Sequence, residues 1–158
     1  DFDFGEGDIH QAFADMYGVD YKKAKELTFK QLYGGVFNEY KDLEFFKRVE
    51  KYIDDISRKE EVVCKSGYVF KTDMKKQKLF NYILQNTETY YNVLILEKII
   101  KLLKNCKTKI IHYTYDSFLL DVSKDEKSII KSIMDIFKEY KFNIKVEAGS
   151  NYNVLEKV

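Results

Sequence analysis

The stretch over residues 20–35, DYKKAKELTFKQLYGG, constrains the fold of this chain most, because it predicts a helix with both ends marked. Asp20 belongs to the residue types that cap helix N-termini, and no helix breaker follows it before Gly34 and Gly35. A glycine pair at this position is typical of a helix end. The fold must therefore accommodate one complete helix over residues 21–33.

One face of this helix has an unusual composition. Lys25, Phe29 and Tyr33 recur every four residues, and Lys22 lies about one turn before Lys25, so the four side chains share a face. Because a buried, unpaired ammonium group is very costly, we expect this face to be exposed. Its order of cations and then aromatic rings suits a ligand with phosphates at one end and a flat ring at the other. A surface helix with ordinary lysines is the alternative.

The composition is that of a globular protein. With 45% hydrophobic and 16% aromatic residues among 158, the chain can form a core as one domain or as two small lobes sharing a core. Its net charge of +1 means that any nucleic-acid surface depends on local clusters of basic residues, which are nearly all lysines. Proline is absent, and no linker or repeat divides the sequence. We therefore predict one continuous fold.

Cysteine, histidine and apolar patterns argue against disulfide, zinc and membrane-spanning structures. Cys64 and Cys106 are far apart and form no CxxC unit, so we interpret them as reduced thiols in an intracellular protein. His10 and His112 are isolated, which argues against a zinc site. No apolar run approaches the ~20 residues that span a bilayer. We therefore expect no membrane association.

Two acidic segments precede the helix over residues 21–33. Asp1 and Asp3 flank a phenylalanine and are predicted to end a buried strand, with a frayed acidic terminus as the alternative. Asp8 is predicted to cap another helix, which places His10 near a helix start, where an anion binds favourably. A lone surface histidine is the alternative for His10.

Apolar periodicity predicts the other elements of the chain. A hairpin is expected around Ser66 and Gly67. Helices are predicted over residues 39–57, over 73–103 as one long helix or a broken pair, and over 124–140. The hairpin strands cover 61–64 and 68–71, and a last strand covers 142–148.

A line of amides runs along the predicted helix over residues 73–103. Asn81, Gln85 and Asn92 recur at helical spacing inside an otherwise apolar run. Buried amides need hydrogen-bond partners, and the minor groove of a duplex offers acceptors at every base pair. The line therefore suits a nucleic-acid surface, unless neighbouring residues of the protein satisfy these amides.

The stretch over residues 109–122, KIIHYTYDSFLLDV, predicts a hairpin with a carboxylate at its tip. Two β-branched and aromatic runs flank Tyr115, Asp116 and Ser117. A carboxylate held out by two buried strands is costly to leave unpaired, and a divalent cation is a common partner. The alternative is an ordinary hairpin with an aspartate in its turn. With the helix and strand that follow, the hairpin predicts a β-β-α-β arrangement.

Taken together, these motifs resemble family A (Pol I-like) DNA polymerases. The pattern K-x-x-x-F-x-x-x-Y-G resembles the fingers helix of that family, and G-D-I-H-x-x-x-A resembles the segment before it. The opening D-F resembles the first metal motif, and F-N-x-x-x-Q-x-T resembles the helix at the primer–template junction. The aspartate-tipped hairpin resembles a phage-type form of the third motif, and G-x-N-Y resembles the C-terminal signature. The matches are collinear, which makes the resemblance to the palm and fingers region strong from Gly7 to Tyr152.

The resemblance implies template-directed DNA synthesis, in which a primer 3′-hydroxyl attacks a nucleotide at a site with two Mg²⁺ ions. Lys22 would stand in for an arginine of the family, because Tyr21 occupies the corresponding position. The implied residues are Asp1 and Asp116 as catalytic metal ligands, with Asp3 in reserve; His10, Lys22, Lys25, Phe29 and Tyr33 for the incoming nucleotide; and Asn81, Gln85 and Tyr115 for the primer–template.

The expected fold is α+β, with a small antiparallel palm sheet and a helical fingers lobe. The implied segments are a truncated first metal motif at 1–8, fingers helices at 9–60, and a palm with the primer–template helix at 61–158. The expected partners are primer–template DNA, deoxynucleoside triphosphates (dNTPs), and a thumb and exonuclease portion in the same or another chain. The chain would then be part of a larger enzyme in the cytoplasm of a bacterium or phage-infected cell, with an organelle as the other location.

Two other functions are compatible with the same residues. One is a non-catalytic module with a palm fold that binds primer–template. The other is a palm polymerase similar to reverse transcriptases, although the absence of a second aspartate after Asp116 argues against it. A position of Asp1 within a few ångströms of Asp116 would favour the enzyme over the binding module. The sequence does not distinguish a DNA template from an RNA template.

Overall fold

The structure, a computed structural model, describes residues 8–157 and divides into two compact units, one up to Thr87 and one from Glu88 onward. Both units combine helices with short antiparallel hairpins, which confirms the predicted α+β class. The palm and fingers assignment stays a prediction, as do the segments 1–8, 9–60 and 61–158.

The first unit contains three helices, one hairpin and the first turns of a long helix. Its strands pair antiparallel, with Val62 opposite Phe70, as the sequence predicted. The long helix is unbroken and continues into the second unit. The elements are α1 (Ile9–Tyr17), α2 (Tyr21–Gly34), α3 (Glu44–Ser57), β1 (Glu61–Val63), β2 (Val69–Lys71) and α4 (Lys76–Leu103).

The caps of α1 and α2 follow from local sequence. Asp8 Oδ1 accepts a hydrogen bond from the backbone N–H of His10 at 2.8 Å, and Asp20 Oδ1 accepts one from that of Lys23 at 2.9 Å. Gly18 ends α1 with φ +66°, a left-handed conformation that glycine adopts without steric cost. The predicted starts of both helices are therefore confirmed.

Side chains from the first three helices form one hydrophobic cluster, and α3 and α4 form another. Phe13 of α1, Ala24 of α2 and Phe46 of α3 belong to the first cluster. Ile56 of α3 and Leu79 of α4 belong to the second. Because α2 buries its Ala24 side in this core, its opposite side is left at the surface.

The predicted helix over residues 39–57 begins later than expected, at Glu44, and residues 38–43 form turns. Tyr40 and Leu43 lie in these turns and pack against the first cluster. Their apolar spacing therefore matches that of α3, although their backbone is not helical. The helix prediction is wrong for residues 39–43, because the apolar spacing there reflects which side chains pack against the core and not a helical backbone.

A buried polar network ties α1 and α2 to the chain that follows them. Gln31 is fully buried, and its Nε2 donates to the hydroxyl of Tyr17 at 3.3 Å. Its Oε1 accepts from the backbone N–H of Phe37 at 3.2 Å, and the hydroxyls of Tyr17 and Thr28 lie 3.0 Å apart. Burial raises the pKa of Tyr17, so its hydroxyl stays neutral and serves this network.

Replacing Gln31 by an apolar residue is expected to destabilise the protein. Gln31→Leu would leave the part-buried N–H of Phe37 without its acceptor, which costs about 1–3 kcal/mol of unfolding free energy. Urea denaturation followed by circular dichroism measures this loss. Gln85→Leu is the control, because Gln85 is exposed on α4 and should change stability little. Equal stability of the Gln31→Leu variant and the parent would contradict the prediction.

The second unit packs the later turns of α4 against a hairpin and a helix. Its core contains Ile95 and Ile99 of α4 and Ile133 of the following helix. None of the described helices combines the length and apolar character needed to cross a membrane. The elements are β3 (Lys109–Thr114), β4 (Ser117–Asp121), a 3₁₀ turn (Lys124–Glu126), α5 (Ile129–Glu139), β5 (Glu147–Ala148), a second 3₁₀ turn (Tyr152–Val154) and β6 (Glu156–Lys157).

The predicted last strand over residues 142–148 is mostly absent. Only Glu147–Ala148 is extended and paired, and its partner is β6 and not the β3–β4 hairpin. After α5 the chain turns at Lys141, with φ +58°, and Phe142 packs its ring against Tyr91 at 6.2 Å. The described residues therefore form three separate two-stranded sheets, and the expected β-β-α-β sheet is wrong.

Glu126 joins the first 3₁₀ turn to the start of β3. Its carboxylate accepts hydrogen bonds from the backbone N–H of Lys107 at 2.9 Å, and from the N–H and hydroxyl of Thr108, both at 2.8 Å. The bond from Lys107 and then those from Thr108 lower the pKa of Glu126 below its usual 4.5. These three hydrogen bonds therefore stabilise the ionised form of Glu126.

The stability of the second unit is expected to depend on pH through Glu126. Since its pKa is lower in the folded state, ionisation stabilises the fold above pH 4.5, and this contribution is lost as the pH falls through the folded value. Glu126→Gln should lower the urea midpoint at neutral pH, and the difference from the parent should shrink in acid. Asp125→Asn, one residue earlier and exposed, is the control and should have little effect at any pH. A difference that stays constant with pH would contradict this account.

Candidate functional site

The predicted face of α2 lies at the surface of the first unit. Lys22 and Lys25 are exposed, and Phe29 and Tyr33 keep 43% and 41% of their surface accessible. The opposite side of the helix is buried through Ala24 and its neighbours. Two cations and two aromatic rings are thus available to a ligand along one side of α2.

Four rings form a row along this face, which we call the ring row: Tyr21, His10, Phe29 and Tyr33. The centroids of Phe29 and Tyr33 lie 6.1 Å apart with their planes 20° from parallel. His10, which belongs to α1, lies 6.0 Å from Phe29 and 5.8 Å from Tyr21. The structure therefore brings together His10 and the α2 face, which the sequence suggested through two separate motifs.

The lysines of this face differ from their neighbours on α2. Lys23 and Lys30 both pair with Glu26, at 3.6 and 2.5 Å. Within residues 8–157, no ion pair includes Lys22 or Lys25. Their charges are therefore available to an anionic ligand, whereas those of Lys23 and Lys30 are partly neutralised.

Asp8 and Tyr21 are additions that the sequence analysis did not assign to the site. The hydroxyl of Tyr21 donates to Asp8 Oδ2 at 3.0 Å, while Oδ1 of the same carboxylate caps α1. Hydrogen bonds from the backbone of His10 and then from Tyr21 lower the pKa of Asp8, and the same carboxylate raises the pKa of Tyr21. No periodicity relates these residues, so only the packing of α1 on α2 reveals the pair.

The C-terminal end of α2 is capped by side chains of α4. The amide of Gln77 donates to the carbonyl of Leu32, and Asn81 Nδ2 donates to the carbonyl of Tyr33 at 3.1 Å. One N–H of Asn81 is thus committed within the protein, and its Oδ1 is enclosed and has no hydrogen-bond partner in residues 8–157. Gln85 is exposed and its amide has no hydrogen bond within residues 8–157. Of the two amides of this unit predicted for the primer–template, Gln85 is the more accessible to a ligand, since Asn81 is half-buried.

In the second unit, the predicted hairpin carries Asp116 at its tip. Tyr115 adopts φ +44° and is 84% exposed, and its carbonyl accepts a hydrogen bond from Asn92 Nδ2 at 2.9 Å. Asp116 is also exposed, and every residue of β3 and β4 is either exposed or only half-buried. The expectation of a costly carboxylate between buried strands is therefore wrong, since water solvates this group.

The metal-binding prediction is only partly covered by the described residues. Asp1 and Asp3 lie outside them. Within residues 8–157, no group of three or more histidine, cysteine, aspartate or glutamate side chains is arranged to hold a metal ion. Asp116 makes no hydrogen bond or ion pair in this part of the chain, so its oxygens are free to bind a cation. The Mg²⁺ site stays a prediction.

A groove of about 360 Å³ lies on one face of the β3–β4 hairpin. It is lined by His112, Thr114, Ser117, Leu119 and Tyr152. Tyr152 belongs to the G-x-N-Y motif near the end of the chain. Two motifs that are far apart in sequence therefore line the same groove, and His112, which the sequence analysis left without a role, joins them.

Comparisons of this chain with protein-family models, with curated proteins and with solved structures find no match. The residues and their geometry are therefore the basis on which a function can be assigned.

Proposed function

We propose that this chain carries nucleotide-binding and metal-binding parts of a template-directed DNA polymerase of the family A type. The enzyme would join a dNTP to a primer 3′-hydroxyl and release pyrophosphate. The observation that supports this most is the shared surface of His10, Lys25, Phe29 and Tyr33 in the first unit. These residues come from two motifs of the resemblance, and each would contact the same ligand.

The cationic end of the α2 face would bind the triphosphate. Lys22 and Lys25 supply two ammonium groups that lack ion pairs within residues 8–157, and His10 adds a ring nitrogen. Negative charge grows on the leaving pyrophosphate as the P–O bond breaks. Fixed cations beside these oxygens stabilise the transition state more than the ground state, which is the requirement for catalysis.

The aromatic end of the face would hold the base and sugar of the nucleotide. Phe29 and Tyr33 are nearly parallel and about two-fifths exposed, so a flat ring can stack on either. Stacking tolerates all four bases, as a template-directed enzyme requires. Selection of the correct base would then come from the template and from closure of α2 over a matched pair.

Asp116 would provide carboxylate oxygens for Mg²⁺, with Asp1, or Asp3 in its place, as the second ligand. Mg²⁺ prefers oxygen ligands and keeps several waters, so an exposed carboxylate that has no hydrogen bond or ion pair in the described residues fits it. When bound, the two ions would activate the 3′-hydroxyl and stabilise the leaving oxygen.

The primer–template would contact residues in both units. In the first unit, Gln85 of α4 offers an exposed amide, and in the second unit Tyr115 offers an exposed ring. Asn81 is the weaker candidate because its NH₂ group already binds the carbonyl of Tyr33. A thumb and an exonuclease portion in the same or another chain would complete the enzyme.

Primer extension tests this function. The chain is incubated with labelled primer–template, dNTPs and Mg²⁺, and parallel reactions contain EDTA or an RNA template. We expect extension that depends on Mg²⁺ and on the template sequence. Binding of the primer–template without any extension would instead favour the non-catalytic module, and the comparison of templates decides between DNA and RNA.

A further inference from the structure

His10 is held by neighbouring rings, and its side chain makes no hydrogen bond within residues 8–157. Its ring meets that of Tyr21 edge to face, at 5.8 Å and 84°, and lies 6.0 Å from that of Phe29. Its Nδ1 is enclosed and has no hydrogen-bond partner in that part of the chain. Nε2 is therefore the ring nitrogen left to contact a ligand, and the two flanking rings restrict its direction.

Tyr21 is in turn held by Asp8. The Tyr21 hydroxyl donates to Asp8 Oδ2 at 3.0 Å, and Asp8 Oδ1 accepts from the backbone N–H of His10 at 2.8 Å. One carboxylate thus binds both the backbone of His10 and the ring beside it. Hydrogen bonds to an ionised acceptor are roughly twice as strong as neutral ones, so this link resists rotation of the Tyr21 ring.

We propose that Tyr21, held by Asp8, is a positioning residue that fixes the His10 ring for contact with the triphosphate of an incoming nucleotide. This inference rests on the proposed function and extends it to two residues that the resemblance does not assign. Tyr21 occupies the position where the family has an arginine. Here a neutral, anchored ring acts through a neighbouring histidine, and its hydroxyl is committed to Asp8.

The link also keeps a negative charge away from the phosphates. Both oxygens of the Asp8 carboxylate accept hydrogen bonds, one from the helix start and one from Tyr21. Without the phenol, Oδ2 would be free to turn towards a bound anion and repel it. Loss of the link should therefore weaken nucleotide binding and leave the chemical step unchanged, so that KM rises while kcat stays constant.

A double-mutant cycle separates positioning from a general structural effect. Tyr21→Phe removes the hydroxyl and keeps the ring, and it is made in the parent and in a His10→Ala background. The dissociation constant of Mg·dATP is measured by calorimetry. We expect Tyr21→Phe to raise this constant about fivefold in the parent and to have little effect once His10 is removed. Tyr68→Phe, an exposed tyrosine of the same unit, is the matched control and should bind like the parent.

A conservative replacement of Asp8 provides a second measurement. Asp8→Asn keeps a capping side chain and a polar partner for Tyr21, so it should retain most of the affinity, whereas Asp8→Ala should lose it. His10 and His112 are the only histidines, and His112 lies in the other unit. Tyr21→Phe should therefore shift the imidazole NMR signals of His10 and leave those of His112 unchanged.

Three results would overturn the inference. They are an unchanged dissociation constant in Tyr21→Phe, an equal loss in both backgrounds of the cycle, and absence of Mg·dATP binding by the parent. The last result would also remove the nucleotide-binding half of the proposed function. Nucleotide binding without primer extension would reject only the polymerase reaction. The double-mutant cycle would then still test whether Tyr21 positions His10.

Discussion

Asp116→Asn is expected to reduce primer extension by more than about 100-fold, because the amide replaces a charged oxygen ligand of Mg²⁺ with a neutral group. Asp116 is exposed at the tip of the hairpin and makes no hydrogen bond or ion pair within residues 8–157. The substitution should therefore leave the unfolding free energy within about 0.5 kcal/mol of the parent. A loss of activity in a normally folded protein would then indicate that Asp116 acts in the reaction and not in folding.

Asp121→Asn is the matched control for this prediction. Asp121 is an exposed aspartate on the same hairpin, opposite Lys109 at the end of β4, and the substitution removes the same charge. It should extend primers like the parent. Rates of extension are measured with saturating dNTP over a range of Mg²⁺ concentrations. Full activity of Asp116→Asn would show that this carboxylate is not a metal ligand and would remove the second unit from the proposed chemistry.

Lys25→Ala is expected to lower kcat/KM for dNTP by roughly 10–100-fold, because it removes a cation that would neutralise the triphosphate. Lys25 is exposed on the face of α2 that carries Phe29 and Tyr33, and it forms no ion pair in the described part of the chain. Since an exposed lysine contributes little to folding, the helix should remain intact. Steady-state primer extension at several dNTP concentrations measures the change.

Lys23→Ala is the control with the same change in net charge on the same helix. Lys23 is exposed and pairs with Glu26 at 3.6 Å, so its charge is partly neutralised by the protein. It should alter kcat/KM by less than about threefold. Equal losses in the two variants would indicate a general electrostatic effect of α2 and would argue against a specific phosphate contact of Lys25.

Helix starts and hairpins were predictable because they depend on groups close together in sequence. Asp8 and Asp20 cap helices by binding backbone N–H groups two or three residues away. The β3–β4 hairpin likewise joins neighbouring segments through a short turn. The exposed face of α2 was also predictable, since helical period alone determines which side chains share a side.

The role of the amides was harder to predict, because an amide can bind a ligand or a distant part of its own chain. Asn81 and Asn92 were both read as part of a nucleic-acid surface. In the structure Asn81 donates to the carbonyl of Tyr33 and Asn92 to that of Tyr115, which lie 48 and 23 residues away. Their spacing along α4 is the same in either case, so no pattern in the sequence separates the two roles.

The sequence by itself therefore determined the α+β class, the start of α1, both ends of α2, and the order of charges and rings along α2. Local hydrogen bonds and helical period set these features, and both act within a few residues. Only the tertiary structure decided that His10 joins the ring row, that Tyr21 binds Asp8, and that β5 pairs with β6 and not with the β3–β4 hairpin. Those contacts depend on which surfaces meet when distant segments bury their apolar sides, and the same local pattern is compatible with more than one partner.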